Sequence, residues 1–265
     1  MRMTGERCGV VVAALALLVA GCSGTDTTTT GESPAPDPTA ALRERCSAAV
    51  PADADLEALT MRGASGGELE VARVGPARNA TVAVLLPQTS GLCGWGRWAA
   101  VAAEDAGVTS LLVNPCGYGE SVCTAEQDAD PLTEVAAATR VARRDVGAQR
   151  VVLLGTSMGG SLTVMAVAAG ADVDAWADIS GPSSWEGVEL EPLAGDLPAT
   201  GLVAMAASDG PAEVADARAL ARAGGVPFVP RRYGHGWELL VDPVSGSLTR
   251  LGRRLVYLAA DPRQG

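Results

Sequence analysis

The sequence predicts an α/β fold, with one domain, a mostly parallel sheet and helices on both faces. Two observations lead there. Apolar runs of five or six residues alternate with longer helical stretches, the pattern of strands buried on both sides. The 265 residues are 48% hydrophobic, enough for one core of ordinary size plus N-terminal extras. With one Phe and three Tyr, that core is expected to be aliphatic.

The elements follow in order. Residues 40–49 suit a short helix. Residues 69–74 alternate apolar and polar and read as an edge strand. Residues 81–86 form a buried strand, 94–106 a helix, 109–113 a strand and 131–146 a helix. Residues 150–154 and 158–169 repeat the strand–helix unit. Further strands are expected at 175–179, 201–206 and 227–231, and further helices at 212–223 and 247–259. No internal repeat and no second domain is visible.

The N-terminus has a different character. Arg2 and Arg7 precede an unbroken apolar run at residues 10–20, too short to span a bilayer as a helix but suited to a signal peptide. The next residues, Val19-Ala20-Gly21-Cys22, resemble the lipobox of bacterial lipoproteins. That resemblance implies cleavage after residue 21 and acylation of Cys22, so that residues 1–21 are a signal. Residues 22–39 are rich in Thr and Pro, with too little apolar surface to fold, and read as a disordered tether. Residues 40–265 would then be the folded domain, lipid-anchored on the extracytoplasmic side of the cell membrane. The net charge of −11 argues against nucleic acid or bare anionic lipid as partners. A monomer is expected.

Of six cysteines, Cys8 leaves with the signal and Cys22 carries lipid. Cys46, Cys93, Cys116 and Cys123 remain, an even number in an exported protein, which suggests two disulfides. Three pairings are possible. Cys116–Cys123 would close a short Gly-rich loop, and Cys46–Cys93 would staple the first helix to the body. The spacing is unlike a zinc site, and a single His argues against metal. No cofactor is expected.

Chemistry concentrates at Gly155-Thr156-Ser157-Met158-Gly159. A Gly-x-Ser-x-Gly motif between a buried strand and a helix places serine on a cramped turn, where only minimal flanking side chains fit. The helix N-terminus there favours negative charge. Gly63-Ala64-Ser65-Gly66-Gly67 also fits the motif, but a strand follows it, so Ser65 reads as a hairpin turn. A serine hydroxyl needs a base, and the sole histidine is His235, in a Gly-flanked loop past the last strand. The base needs an orienting carboxylate, for which Asp209, in the turn after residues 201–206, is the candidate and Asp178 the rival.

These residues, in the order Ser, Asp, His, resemble the α/β-hydrolase superfamily over about residues 69–259. The likeness is greatest to small exported hydrolases of the dienelactone-hydrolase-like kind, with serine in place of cysteine. Other matching segments are Leu85-Leu86-Pro87-Gln88-Thr89-Ser90-Gly91 with Trp95, Asn114-Pro115-Cys116-Gly117-Tyr118-Gly119-Glu120-Ser121, Ser180-Gly181-Pro182 and His235-Gly236. The resemblance implies an oxyanion hole from the amides of Met158 and of Thr89 or Gln88. Relatives usually carry His-Gly or His-Gln where this chain has Pro87-Gln88, and Asp where it has Asn114. Pro87 has no N–H, so the second donor must lie beyond it.

About twenty residues separate the strands at 175–179 and 201–206, too few for an independent cap. Trp185 and Trp237 are candidate walls of an open cleft. The implied activity is hydrolysis of small-molecule or lipid-like carboxylic esters through an acyl-enzyme. A non-catalytic binding lipoprotein and an acyltransferase with the same residues are the alternatives.

Overall fold

The computed structural model describes residues 37–260. The expected signal peptide, Cys22 and most of the expected tether lie outside them; residues 38 and 39, expected in the tether, open the first helix. Among the described residues no helix is long and apolar enough to cross a membrane.

Helix α1 spans Pro38–Arg45, two residues earlier than its apolar content predicts, because Asp37 caps it by accepting a hydrogen bond from Thr39 N at 3.0 Å. Strands β1 (Leu56–Arg62) and β2 (Glu68–Val74) form a hairpin whose turn contains Ser65, as its sequence context predicts. There follow β3 (Thr81–Leu86), α2 (Gly96–Ala106), β4 (Thr109–Val113), α3 (Leu132–Val141), β5 (Arg150–Thr156), α4 (Met158–Ala168) and β6 (Ala175–Ile179). A two-stranded ribbon, β7 (Ser184–Trp185) and β8 (Val188–Glu189), precedes β9 (Gly201–Ala206), α5 (Pro211–Ala223), β10 (Phe228–Arg231) and α6 (Arg250–Ala260).

Eight strands form one sheet in the order β1-β2-β4-β3-β5-β6-β9-β10. Pairing is parallel from β4 to β10 and antiparallel where β2 meets β1 and β4. Residues 69–74 are therefore not an edge: β1 takes that place. Its sequence hides it, since only Leu56 and Met61 of its seven residues are buried.

Alternate side chains of each central strand feed opposite faces. Val84, Leu86, Leu153, Trp176 and Val203 pack under α3, α4 and α5. Leu85, Leu154, Ala177, Leu202 and Ala204 pack under α2 and α6. The core is less aliphatic than expected, because Trp95, Trp98 and Trp176 are fully buried. Burial of an indole requires an acceptor for its N–H. Trp95 donates to Leu86 O at 2.8 Å, Trp98 to Gly252 O at 2.9 Å and Trp176 to Pro198 O at 3.0 Å.

Both favoured disulfides are present. Cys46–Cys93 ties the end of α1 to the turn before α2, and Cys116–Cys123 closes the loop after β4.

The chain runs from β3 outward to β4, then returns across β3 to β5 on its other side. The loops leaving β3 and β5 diverge there and open a crevice at the carboxyl ends of the two strands. Leu86 pairs with Gly155 across this switch point, bringing Gln88 and Thr89 alongside Ser157.

Candidate active site

Ser157 joins β5 to α4 with φ 51° and ψ −122°. A non-glycine residue in that region costs on the order of 1–3 kcal/mol and persists only where its surroundings enforce it. The enforcement is visible. Ser157 N donates to Ile179 O at 2.8 Å, and Gly159 N donates to Pro87 O at 3.0 Å. A Cβ on Gly155 would collide with the Gly159 carbonyl oxygen, and one on Gly159 with the Leu86 carbonyl oxygen. Gly155→Ala is expected to destabilise the protein by about 3 kcal/mol or more, since the obstacle is backbone and cannot rotate away. Thermal unfolding of the variant measures this.

The segment after β3 is held by its carbonyls. Leu86 O accepts from Trp95, Pro87 O from Gly159 N, and Gln88 O from Gly91 N at 2.9 Å. Among the described residues nothing accepts from the amides of Gln88 or Thr89. The Met158 amide opens α4, where the first N–H groups have no acceptor within the helix. The carbonyls point into the protein, and three amides stay available beside Ser157.

Asn114 explains one departure from the family pattern. Its Oδ1 accepts from Leu92 N at 2.8 Å, and its Nδ2 donates to Glu70 Oε2 at 2.7 Å. An aspartate has no hydrogen to donate and would oppose the Glu70 carboxylate. The same Glu70 carboxylate pairs with Arg45 of α1.

His235 and Asp209 meet. His235 Nδ1 lies 2.7 Å from Asp209 Oδ1. The other oxygen, Asp209 Oδ2, accepts from Ser180 Oγ at 3.0 Å and from Ala206 N at 3.1 Å. Ser180 holds φ 59° to reach it. In the sequence Ser180 carries no sign of this role, since a serine after a strand bears no mark of strain.

The His235 loop is fastened at three points. His235 N donates to Glu238 Oε2 at 3.1 Å, Ser208 Oγ donates to Gly234 O at 2.8 Å, and Trp237 N reaches Gln88 Oε1 at 3.4 Å. Gly236, at φ 55°, presses against Gln88 and Thr156, and a Cβ there would collide with Gln88 Oε1. The residue after His235 thus abuts the residue before Ser157. The His235 side chain is 44% exposed, so among the described residues no cap covers it.

The two candidate wall tryptophans differ. Trp237 lies over Gly94, whose missing side chain makes room for the indole. Trp185 sits in the β7–β8 ribbon, half-buried against the core.

Asp178 is elsewhere. It is buried behind the elbow, where Oδ1 accepts from Gly181 N at 2.8 Å and crowds Gly160. A cavity of ≈ 330 Å³ opens beside it, rimmed by Glu189, Glu191 and Asp216, and none of Ser157, Asp209 or His235 lines that cavity. Burial pushes the Asp178 carboxyl up to about 7, with Glu213 adding to the rise and the Gly181 amide opposing it. A carboxyl whose folded pKa is raised holds its proton between its unfolded value and about 7, so its contribution to stability is lost as pH rises through that window. Asp178→Asn is expected to gain stability at pH 8 relative to pH 5, by at most about 3 kcal/mol. Denaturant unfolding of both proteins at the two pH values checks this.

The sequence matches no protein-family model and none of the curated proteins. Solved structures do match. An esterase from Pyrococcus furiosus superimposes with TM-score 0.63 at 10% identity, over 78% of this chain and 90% of that one. The enol-lactonase from Burkholderia xenovorans LB400 gives TM-score 0.57 at 15% identity, over 74% and 97%. The fold is that of the α/β-hydrolases. An esterase/lipase from an uncultured bacterium gives TM-score 0.55 at 13% identity, over 88% and 92%. At these identities the likeness is one of α/β-hydrolase architecture alone.

Proposed function

We propose that this α/β-hydrolase cleaves carboxylic esters by serine acyl transfer, with Ser157 as nucleophile, His235 as base and Asp209 as its orienting acid. The observation that carries the reading is the His235–Asp209 pair, held 2.7 Å apart in the loops that flank the Ser157 elbow. With Nδ1 committed to Asp209, Nε2 is the nitrogen left to take the serine proton.

The steps follow from the groups present. Ser157 Oγ attacks the ester carbonyl as His235 Nε2 takes its proton. The oxyanion is received by the Met158 amide and by that of Gln88 or Thr89. His235 then protonates the leaving alcohol, and a water activated by the same imidazole frees the acid. The 44% exposure of His235 favours water as the acceptor, since among the described residues the imidazole is open to solvent. A site without a cap suits esters of varied shape. The lipobox-like Val19-Ala20-Gly21-Cys22 supports a lipid anchor at Cys22, which would present the monomeric domain on the outer side of the membrane to small-molecule or lipid-like esters.

A fluorophosphonate probe tests the reading, because it reacts only with an activated serine. Labelling mapped to Ser157, with turnover of short p-nitrophenyl esters, supports it. No labelling and no turnover on a panel of esters would leave a binding protein that has the fold without the chemistry.

A further inference from the structure

On the side of the sheet beneath α3, a buried carboxyl faces a disulfide. One oxygen of Glu134, a residue 2% exposed, and the sulfurs of Cys116 and Cys123 all lie within 4.8 Å of one another. Glu134 Oε2 accepts from Cys116 N at 3.0 Å. Glu134 Oε1 is buried with no hydrogen-bond partner. An orphaned carboxyl oxygen in a core is costly and calls for a purpose. Nothing in the esterase reading uses it.

We propose that Cys116, Cys123 and Glu134 form a thiol–disulfide exchange site, at which Glu134 in its acid form protonates the departing Cys116 sulfur. The geometry assigns the direction of attack. Cys116 is 4% exposed, whereas Cys123 is half-buried beside the exposed Val122. A thiolate of an external dithiol attacks Cys123 Sγ and forms a mixed disulfide. The Cys116–Cys123 bond breaks, its electron pair passes to Cys116 Sγ, and that sulfur takes the proton of Glu134. The second thiol of the reductant then loses its proton to solvent, attacks its own sulfur in the mixed disulfide and releases Cys123, which takes a proton from solvent. The dithiol is oxidised to a disulfide, the protein pair is reduced to two thiols, and Glu134 recovers its proton from solvent.

Two features make the pair reversible in place. The loop it closes is fixed independently of the sulfurs. Val122 and Glu68 exchange backbone hydrogen bonds at 2.7 and 2.9 Å, and Ser121 Oγ donates to Asn114 O at 2.8 Å while accepting from Glu70 N at 2.9 Å. Reduction therefore leaves the thiols facing each other. The sequence separation is also only 7, against 47 for Cys46–Cys93, so the shorter bridge restrains the unfolded chain less.

The proton is available. Burial pushes Glu134 up to about 7, with Asp128 and Asp130 adding to the rise and the Cys116 amide opposing it. Of the elements packed against α3, α4 has no titratable side chain. On β1, Glu57 pairs with Arg73 and Arg62 is exposed; in the turn after α3, Arg143 pairs with Asp172 and Asp174, and Arg144 and Asp145 are exposed.

The test follows both disulfides of the full chain during reduction by dithiothreitol, with alkylation and mass mapping. Cys46–Cys93 serves as the internal control. Cys116–Cys123 is expected to open first, and its rate per reductant thiolate to fall as pH rises through about 7, while that of Cys46–Cys93 stays flat. Glu134→Gln, which keeps an acceptor for Cys116 N, is expected to slow the opening of Cys116–Cys123 at pH 6.5 about a hundredfold, the lower end of the usual span of proton-transfer effects. Equal rates in both proteins, or opening of Cys46–Cys93 first, overturns the proposal. Should Glu134→Gln loosen the fold and accelerate both bonds, the wild-type pH profile decides, and a flat profile at Cys116–Cys123 overturns it.

Discussion

Replacing Ser157 with alanine is expected to lower kcat for ester hydrolysis by about 10⁵-fold or more, the scale set by removal of a serine nucleophile in enzymes of this chemistry. The fold should survive. Ser157 is held by backbone contacts, its N–H to Ile179 and the flanking glycines to the β3 turn, and its side chain caps nothing. Alanine retains the strained φ without adding bulk, so thermal stability should change by less than about 1 kcal/mol. The pairing of these two results is what matters. A large loss of kcat with an unchanged melting curve places the hydroxyl in the reaction. A small loss would mean that the His235–Asp209 pair serves something other than this serine.

The regularity of the strands explains how much of the molecule was legible. Residues 81–86, 109–113, 175–179 and 201–206 are strands to the residue, because a strand covered on both faces is apolar along most of its length, with Thr109, Ser110 and Asp178 the buried polar exceptions in two of them. The motif Gly155-x-Ser157-x-Gly159 was legible for a related reason. Close backbone approach admits only glycine, and that demand is written into the sequence. Chain position favours Asp209 over Asp178, and Asp209 lies against His235. What escaped were elements whose reasons lie across the fold. Strand β1 is half-exposed, with no periodicity to betray it. The β7–β8 ribbon has two residues per strand, too few for any pattern, although Gly187 at φ 79° after Glu186 at φ 49° suits a tight hairpin turn. Ser180 and Gln88 act through neighbours dozens of residues away in the chain, on Asp209 and on the His235 loop, and nothing local marks them.

The second large effect is expected from Asp209→Asn, and the hydrogen bonds around the carboxylate say why. Asp209 Oδ2 receives two donors, Ser180 Oγ and Ala206 N, while Oδ1 receives His235 Nδ1. An asparagine has one oxygen and one amino group to distribute between these places. Its oxygen must face Ser180 and Ala206, since an amino group there would set donors against a backbone N–H that has no freedom to turn. The amino group then faces His235 and donates to Nδ1. The imidazole is forced to carry its hydrogen on Nε2, and a nitrogen that bears a proton cannot accept one from Ser157. The expected loss in kcat is about 10⁴-fold at neutral pH, although no contact is removed. Ser180→Ala supplies the check on this argument: with one donor gone, the asparagine is less firmly oriented, so the double variant should lose less than the product of the two single losses. Asp178→Asn, behind the elbow, should leave kcat unchanged while it alters stability against pH. If instead Asp178→Asn abolished turnover and Asp209→Asn spared it, the orienting acid would be the buried one, and the hydrogen bonds that hold Asp209 would need another explanation.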